Sequence, residues 1–465
     1  MRRLAIVASA AASLTPAPAL AQAPSPAETA ATLDVLWVMV AFVLVLFMQA
    51  GFAMLEVGFS RMKNVGSVVA KILANMGAGF LIFWALGFGL AFGAGNALFG
   101  TEGFFLTGDM AAVSDPLPPS MLFLFQAAFA LVSLAIVWGT MLERTKFPVY
   151  LIFAVVFVGL IYPLVAHWVW SDAGWLGGLG KQDFAGSTVV HLSGAMAALA
   201  GTLILGPRLG KYDEHGRPQT IPGHNMPLAV LGVLILWLGW QGFNPGSTLA
   251  AGPEIADIAL TTNLAAGAGV LGAIAMSYLY RRTIDVGMAG NGAIAALVAI
   301  TAACAFVAPW AAVVIGFIAG VIMYASLVFF DSIGVDDPVG AIAAHGMGGI
   351  WGTLSCGLFT TPELAESVGA GGPGLFYGGG FTQLGVQAVG ILAAGGFVFL
   401  ASLAVFAALK ATIGIRVKPE QELNGLDISE HGVYGLAESL VATDHPTNGN
   451  HRSPSPISHP AGDTA

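Results

Sequence analysis

Long stretches with almost no charge recur from one end of this chain to the other, and they decide most of what it can become. Residues 384–408 run without a single charged side chain, and 256–280 carry only Asp257. Runs of this length match the roughly 20 residues a helix needs to cross ~30 Å of hydrocarbon. Only 9% of the 465 residues are charged, against about 25% in an ordinary soluble domain. So few charges cannot cover a water-soluble particle of this size. The expected fold class is an all-α polytopic membrane protein.

The same arithmetic excludes other classes. A net charge of −9 with 17 Lys and Arg argues against a nucleic-acid binder. Cys304 and Cys356 both lie inside apolar runs, which speaks against a disulfide framework or a Cys-based metal site. No Gly-rich loop ending in Lys-Ser/Thr is present, so an internal ATPase motor is not expected. Residues 1–23 read as a secretory signal peptide. Arg2 and Arg3 precede an apolar stretch, 4–14, too short to span, and Ala19-Leu20-Ala21 follows as a small-x-small cleavage pattern. The alternative is a frayed first transmembrane helix. Cleavage would leave the new N-terminus outside the cytoplasm.

Eleven spans are expected in 24–412, at about 35–56, 67–92, 119–141, 147–168, 185–206, 226–243, 256–280, 288–307, 309–330, 338–359 and 383–410. Alternate loops and the segment after the last span hold Arg61, Lys63, Lys71, Arg144, Lys146, Arg208, Lys211, Arg217, Arg281, Arg282, Lys410, Arg416 and Lys418, whereas the opposite loops hold only Lys181. The positive-inside rule makes the basic side cytoplasmic. The mature N-terminus is then outside and the C-terminus inside, which requires an odd number of spans. The acidic loop 331–337 falls on the cytoplasmic side, where carboxylates weigh little in orientation. Residues 413–443 read as a cytoplasmic regulatory tail and 444–465 as a disordered end. Glu56, near the cytoplasmic end of the first span, takes no role beyond an interfacial position.

One pattern occurs twice: Asp183, Gly186, His191 and Asp337, Gly340, His345 share the form Asp-x-x-Gly-x-x-x-x-His. Each Asp opens an expected span, the fifth running inward and the tenth outward, so spans 1–5 and 6–10 form an inverted repeat. Such repeats place a substrate site near the midplane, between the halves. Eight residues at 1.5 Å rise put each His about 12 Å from its own membrane face, so the imidazoles approach one another mid-membrane. Two polar rings there are costly and point to a shared interior. The competing reading is a pair of buried histidines that bond neighbouring helices. Asp183 and Asp337 sit where an N-cap would satisfy the helix-start amides, and that structural role is compatible with a functional one.

At this point the sequence is identified by resemblance. Asp183-Phe-Ala-Gly-Ser-Thr-Val-Val-His191, continuing to Gly201, resembles the signature segment of the ammonium transporter family, which includes the Rhesus glycoproteins. The likeness extends over nearly all of the mature chain. It takes in Gly51-Phe-Ala-Met-Leu-Glu56, Arg61-Met-Lys-Asn64, Phe125-Gln-Ala-Ala-Phe129, Trp237-Leu-Gly-Trp240-Gln-Gly-Phe243-Asn-Pro-Gly-Ser247, Asp336-Asp-Pro-Val-Gly340, His345-Gly346 and Gly425-Leu-Asp-Ile-Ser-Glu-His-Gly432. The resemblance implies a homotrimer of eleven-helix subunits in the inner (plasma) membrane, each with its own central pore, and no cofactor. It implies that Phe129, Trp170 and Ser247 form an external ammonium-recruiting vestibule with Asp183 near its entrance. Phe129 and Phe243 correspond to the pore gate, and His191 and His345 to the pore lining. It also implies a cytoplasmic regulatory partner of the PII type at the tail, although Val433 stands where the family's tail has Glu.

Read from their own chemistry, Trp170 also suits an interfacial anchor, and Phe129 and Phe243 suit plain packing. The expected function is uptake of ammonium: recruitment of the cation by aromatic rings and the Ser247 hydroxyl, deprotonation, and passage of ammonia beside neutral imidazoles. Two alternatives stand beside it: an ammonium sensor signalling through its tail, and a Rhesus-like gas channel. An enzyme is not expected, and two His with an Asp at different depths are too few ligands for a metal.

Overall fold

The computed structural model of the protein describes residues 24–108, 110 and 117–436. The signal peptide expected at 1–23, the last part of the tail and the disordered end expected at 444–465 lie outside the described residues.

Helices carry the architecture. They are α1 (Pro26–Phe59), α2 (Met62–Phe92), α3 (Pro119–Gly139), α4 (Phe147–Gly178), α5 (Ser187–Leu205), α6 (Met226–Thr248), α7 (Glu254–Arg281), α8 (Val286–Ala303), α9 (Pro309–Ser332), α10 (Gly348–Phe359) and α11 (Thr382–Thr412). Among the described residues ten of these, all but α10, are long and apolar enough to cross a membrane. The chain is a multi-pass membrane protein. The tenth expected span, 338–359, is built differently, because a π-helical turn over Ile342–Met347 leads into the shorter α10. The first helix begins well before the expected residue 35. Ser25 Oγ accepts the Glu28 amide, Glu28 Oε2 accepts the Ser25 amide, and Pro26 takes the first helical position. This capping box starts the helix despite the polar character of 26–34.

Small residues set how closely the helices approach. A Cβ on Gly58 of α1 would lie 2.4 Å from the Ala229 amide nitrogen, and one on Gly232 of α6 would lie 2.3 Å from that of Leu55. In lipid, where apolar side chains gain little by leaving solvent, such close backbone packing holds helix pairs together. Large apolar side chains of α11, Leu392 and Leu400 among them, stay exposed on the outer face, as a lipid-facing helix requires.

At the end of the bundle carrying the basic loops, charges are paired. Glu143, with a positive φ of 70°, accepts the Arg61 amide and Nε at 2.7 Å each, with Arg208 3.5 Å away. Asp336 takes Arg208 through Nε and Nη2 at 2.9 and 3.0 Å. Burial alone would raise both carboxyls. At Glu143 it is outweighed by Arg208 and Arg61, which hold the carboxyl below its ordinary value. At Asp336, Arg144 and Arg208 bring it to about 2. Within the acidic loop 331–337, arginines thus neutralise Asp336, and Lys211 Nζ lies 3.0 Å from Asp331.

The tail returns to this end as two short helices, α12 (Pro419–Asn424) and α13 (Leu426–His431). Glu422 holds Arg416 at 2.8 Å and accepts the Leu209 amide. Asp427 accepts the Gly66 and Ser67 amides at 3.0 and 2.8 Å, capping the regular α-helical part of α2 that starts at Val65, and also the Gly435 amide. Between them Gly425 has φ 102°, and a Cβ there would lie 2.5 Å from the Lys63 carbonyl oxygen. Only glycine fits that turn.

Candidate functional site: a column of rings ending in paired imidazoles

The repeated Asp-x-x-Gly-x-x-x-x-His pattern folds the same way twice. Gly186 and Gly340 take positive φ values of 112° and 77°, and each is followed by a π-helical turn that carries the histidine, Ser187–Leu192 and Ile342–Met347. The aspartates cap these turns. Asp183 Oδ2 accepts the Thr188 and Val189 amides, both at 3.0 Å. Asp337 uses its two oxygens separately, for Ala341 at 2.9 Å and Ile342 at 2.8 Å. The buried Asp183 Oδ1 has no hydrogen-bond partner, while Lys181 Nζ lies 3.6 Å from Oδ2. A π turn widens the helix and displaces its carbonyls, a feature found mostly at functional positions.

The two turns bring the histidines together. Nδ1 of His345 lies 3.2 Å from Nδ1 of His191, with the rings stacked at 5.2 Å and 24°. One Nδ1 therefore carries hydrogen and the other a lone pair, because two protonated rings would set N–H against N–H. Their Nε2 atoms are then one donor and one acceptor. His191 Nε2 is buried without a protein partner.

Aromatic rings extend the column on both sides. Phe243 lies 5.4 Å from His191 and stacks on Phe129 at 4.0 Å and 22°. Phe129 meets Trp170 edge-on at 6.1 Å. The Trp170 indole N–H donates to the Asp183 carbonyl at 2.8 Å, which ties this half-buried ring to the cap of the π turn. Ser247 joins through the same helix end, its hydroxyl donating to the Phe243 carbonyl at 2.8 Å. At the other end Phe52 packs 6.4 Å from His345. The order is Trp170, Phe129, Phe243, His191, His345, Phe52. Every expected site residue except Asp337 lies in this column or bonds directly to it, and Asp337 caps the turn that carries His345.

Three features escaped the sequence reading. Trp240 stacks on His191 at 5.4 Å and donates to Thr301 Oγ1 at 2.9 Å. Its position one turn before Phe243 was the available signal. Phe52 had no such signal among 29 Phe. Glu56, without an assigned role in the sequence reading, is buried, and its Oε2 accepts Lys71 Nζ at 2.7 Å. The pairing depends on α1 and α2 packing side by side, which spacing alone does not reveal.

A multi-helix membrane bundle enclosing a single file of aromatic and imidazole rings defines a class: a membrane transport protein for a small solute. The chain belongs to the Ammonium Transporter Family, whose model matches residues 36–435. It is 46% identical over 426 residues to ammonium transporter Amt2 of Archaeoglobus fulgidus, covering 88% of this chain and 89% of that one. Among solved structures it is similar to a sensor Amt protein, with TM-score 0.82, 36% identity and coverage of 87% and 99%. It is also similar to Candida albicans Mep2, with TM-score 0.79, 29% identity and coverage of 90% and 92%.

Proposed function

We propose that the protein takes up ammonium across the inner membrane through a pore in each subunit of a homotrimer, with the mature N-terminus outside and the C-terminus inside. The segment 342–359 makes the additional crossing that gives eleven. The observation that carries this reading is the unbroken ring column with its imidazole pair at 3.2 Å.

Burying a bare cation in low dielectric costs on the order of tens of kcal/mol. The faces of Trp170 and Phe129 replace part of the lost hydration, about 0.5–2 kcal/mol each. The Ser247 hydroxyl, whose hydrogen is already committed to Phe243, keeps its lone pairs for an N–H donor. Acceptors in fixed positions favour an ion with N–H bonds over potassium. The stacked pair Phe129 and Phe243 closes the path to hydrated ions, so the cation gives up its proton above the rings. The proton is relayed through the imidazole pair and rejoins ammonia on the far side, so that each ammonium moved carries one net charge. Neutral ammonia both donates and accepts, and the imidazole pair offers one acceptor and one donor. Asp183 supports the entrance through the Trp170 indole, and its Oδ1, buried without a hydrogen-bond partner, can accept an N–H. A PII-type protein is the proposed partner of the tail.

Current from proteoliposomes of purified protein under an ammonium gradient tests this, with His191→Ala and His345→Ala beside the wild type. Ammonium-dependent current that falls in both variants, with none for potassium in the wild type, is expected. Unchanged uptake in both variants would remove the pair from the mechanism. Growth of a transporter-deficient strain on low ammonium separates transport from the sensor alternative.

A further inference from the structure

Beyond His345 the ring column leads into a narrow cavity of about 20 Å³, lined by residues that include Phe52, Glu56, Gly139, Asn291, Val339 and His345. Among the described lining residues Glu56 is the only carboxylate. It follows Phe52, the ring packed on His345, by four residues on α1, so it shares that face about 6 Å further along the helix. Its two oxygens have different surroundings. Oε2 is held by Lys71 Nζ at 2.7 Å, with both side chains 1% exposed. Lys71 reaches it from α2 and is not part of the cavity wall, and its ammonium also lies 5.5 Å from the Tyr150 ring. Oε1 points to the side of Gly139, where a Cβ would sit 3.7 Å away, and Gly139 is itself a wall residue.

A buried ion pair is a poor stabilising device, since apolar replacements of similar volume are often neutral or better. Its place at the end of the conduit calls for another reason. Lys71 is a tethered primary ammonium resting on a carboxylate beside an aromatic face, so the group that already occupies the pair has the chemistry of the transported ion.

We propose that Glu56 is the substrate contact at the cytoplasmic end of the pore, its Oε1 accepting an N–H from ammonia or ammonium as it leaves the histidines. Lys71, on the other oxygen, is a positioning residue that aims the carboxylate and cancels its charge, so that the cation is released. This rests on the pore reading above.

The test compares Glu56→Gln, Glu56→Asp, Lys71→Met and the double variant Glu56→Gln/Lys71→Met as full-length protein in proteoliposomes. The double variant leaves no buried charge unpaired. If the pair is only structural, that variant transports like the wild type, and the proposal is overturned. If Glu56 contacts substrate, the variant is monodisperse by size exclusion yet loses at least fivefold in maximal ammonium current, with Glu56→Asp recovering part of what Glu56→Gln loses. Lys71→Met alone leaves an uncancelled carboxylate, so apparent KM and maximal current should both fall. No change in either refutes the positioning role. Should the single variants fail to fold, the double variant decides. Failure of the pore reading would be distinguishable, because wild-type current would then be insensitive to His191 and His345 as well.

Discussion

Replacing Asp427 by alanine removes the acceptor from three backbone amides at once: Gly66, Ser67 and Gly435. The first two are among the unpaired donors where the regular α-helix of α2 starts at Val65, and there the helix dipole favours a negative charge. Loss of a cap costs about 1–2 kcal/mol, and loss of the dipole interaction about 0.3–1 kcal/mol more. A total of roughly 1.3–3 kcal/mol corresponds to about a 10- to 150-fold shift from docked to undocked tail. Hydrogen exchange in detergent reads this directly: the Gly66 and Ser67 amides should exchange faster by about that factor, while amides in the middle of α8 should not change. Trypsin should also cut sooner after Arg416, just ahead of α12. Ser67 lies one turn before Lys71 on α2, so a looser start to the regular helix should reach the Glu56 pair, and ammonium current should fall with the exchange. Unchanged protection at Gly66 and Ser67 would refute the capping role. Changed protection with full current would refute the link from tail to pore.

Asp336 sets a pH limit on the cluster of arginines at the same end of the bundle. Its folded-state value of about 2 lies below the ordinary 3.8, so its contribution, roughly 2 kcal/mol, is fully present above pH ~4 and is lost as pH falls through ~2. The thermal midpoint of the detergent-solubilised protein should drop across that window, and Asp336→Asn, less stable at neutral pH, should lack that part of the slope; equal slopes would sink the assignment. In the column, Trp240→Phe keeps a ring against His191 and gives up one hydrogen bond to Thr301, about 1 kcal/mol, so ammonium current should stay within a few-fold of wild type. Trp240→Leu removes the ring and should lower current well beyond that, and equal currents would show that the ring does not position His191.

Much of the fold was legible because lipid imposes a simple rule. Apolar runs of fixed length mark where helices cross, and ten helices of the expected kind are present among the described residues. The sharpest site signal was a repeat of three residue types at one spacing, since Asp, Gly and His each have a definite local use: cap, positive φ and ring. What stayed hidden depends on partners distant in sequence. The spacing placed Asp183 and Asp337 at helix starts. It did not tell that one carboxylate uses a single oxygen and the other both, because that follows from where the displaced amides of each π turn point. Glu56 and Lys71 read as two charges near a membrane face until α1 and α2 are laid together.

By itself the sequence determined a helical membrane protein with two matched Asp-Gly-His segments, because hydrophobic length and the φ demands of glycine act locally. The tertiary structure alone decided that Trp170, Phe129, Phe243, His191, His345 and Phe52 form one file. Centroid distances of 4.0–6.4 Å between rings from six separate segments are set by how helices pack around close-approaching glycines, and residue spacing along a chain carries no record of that.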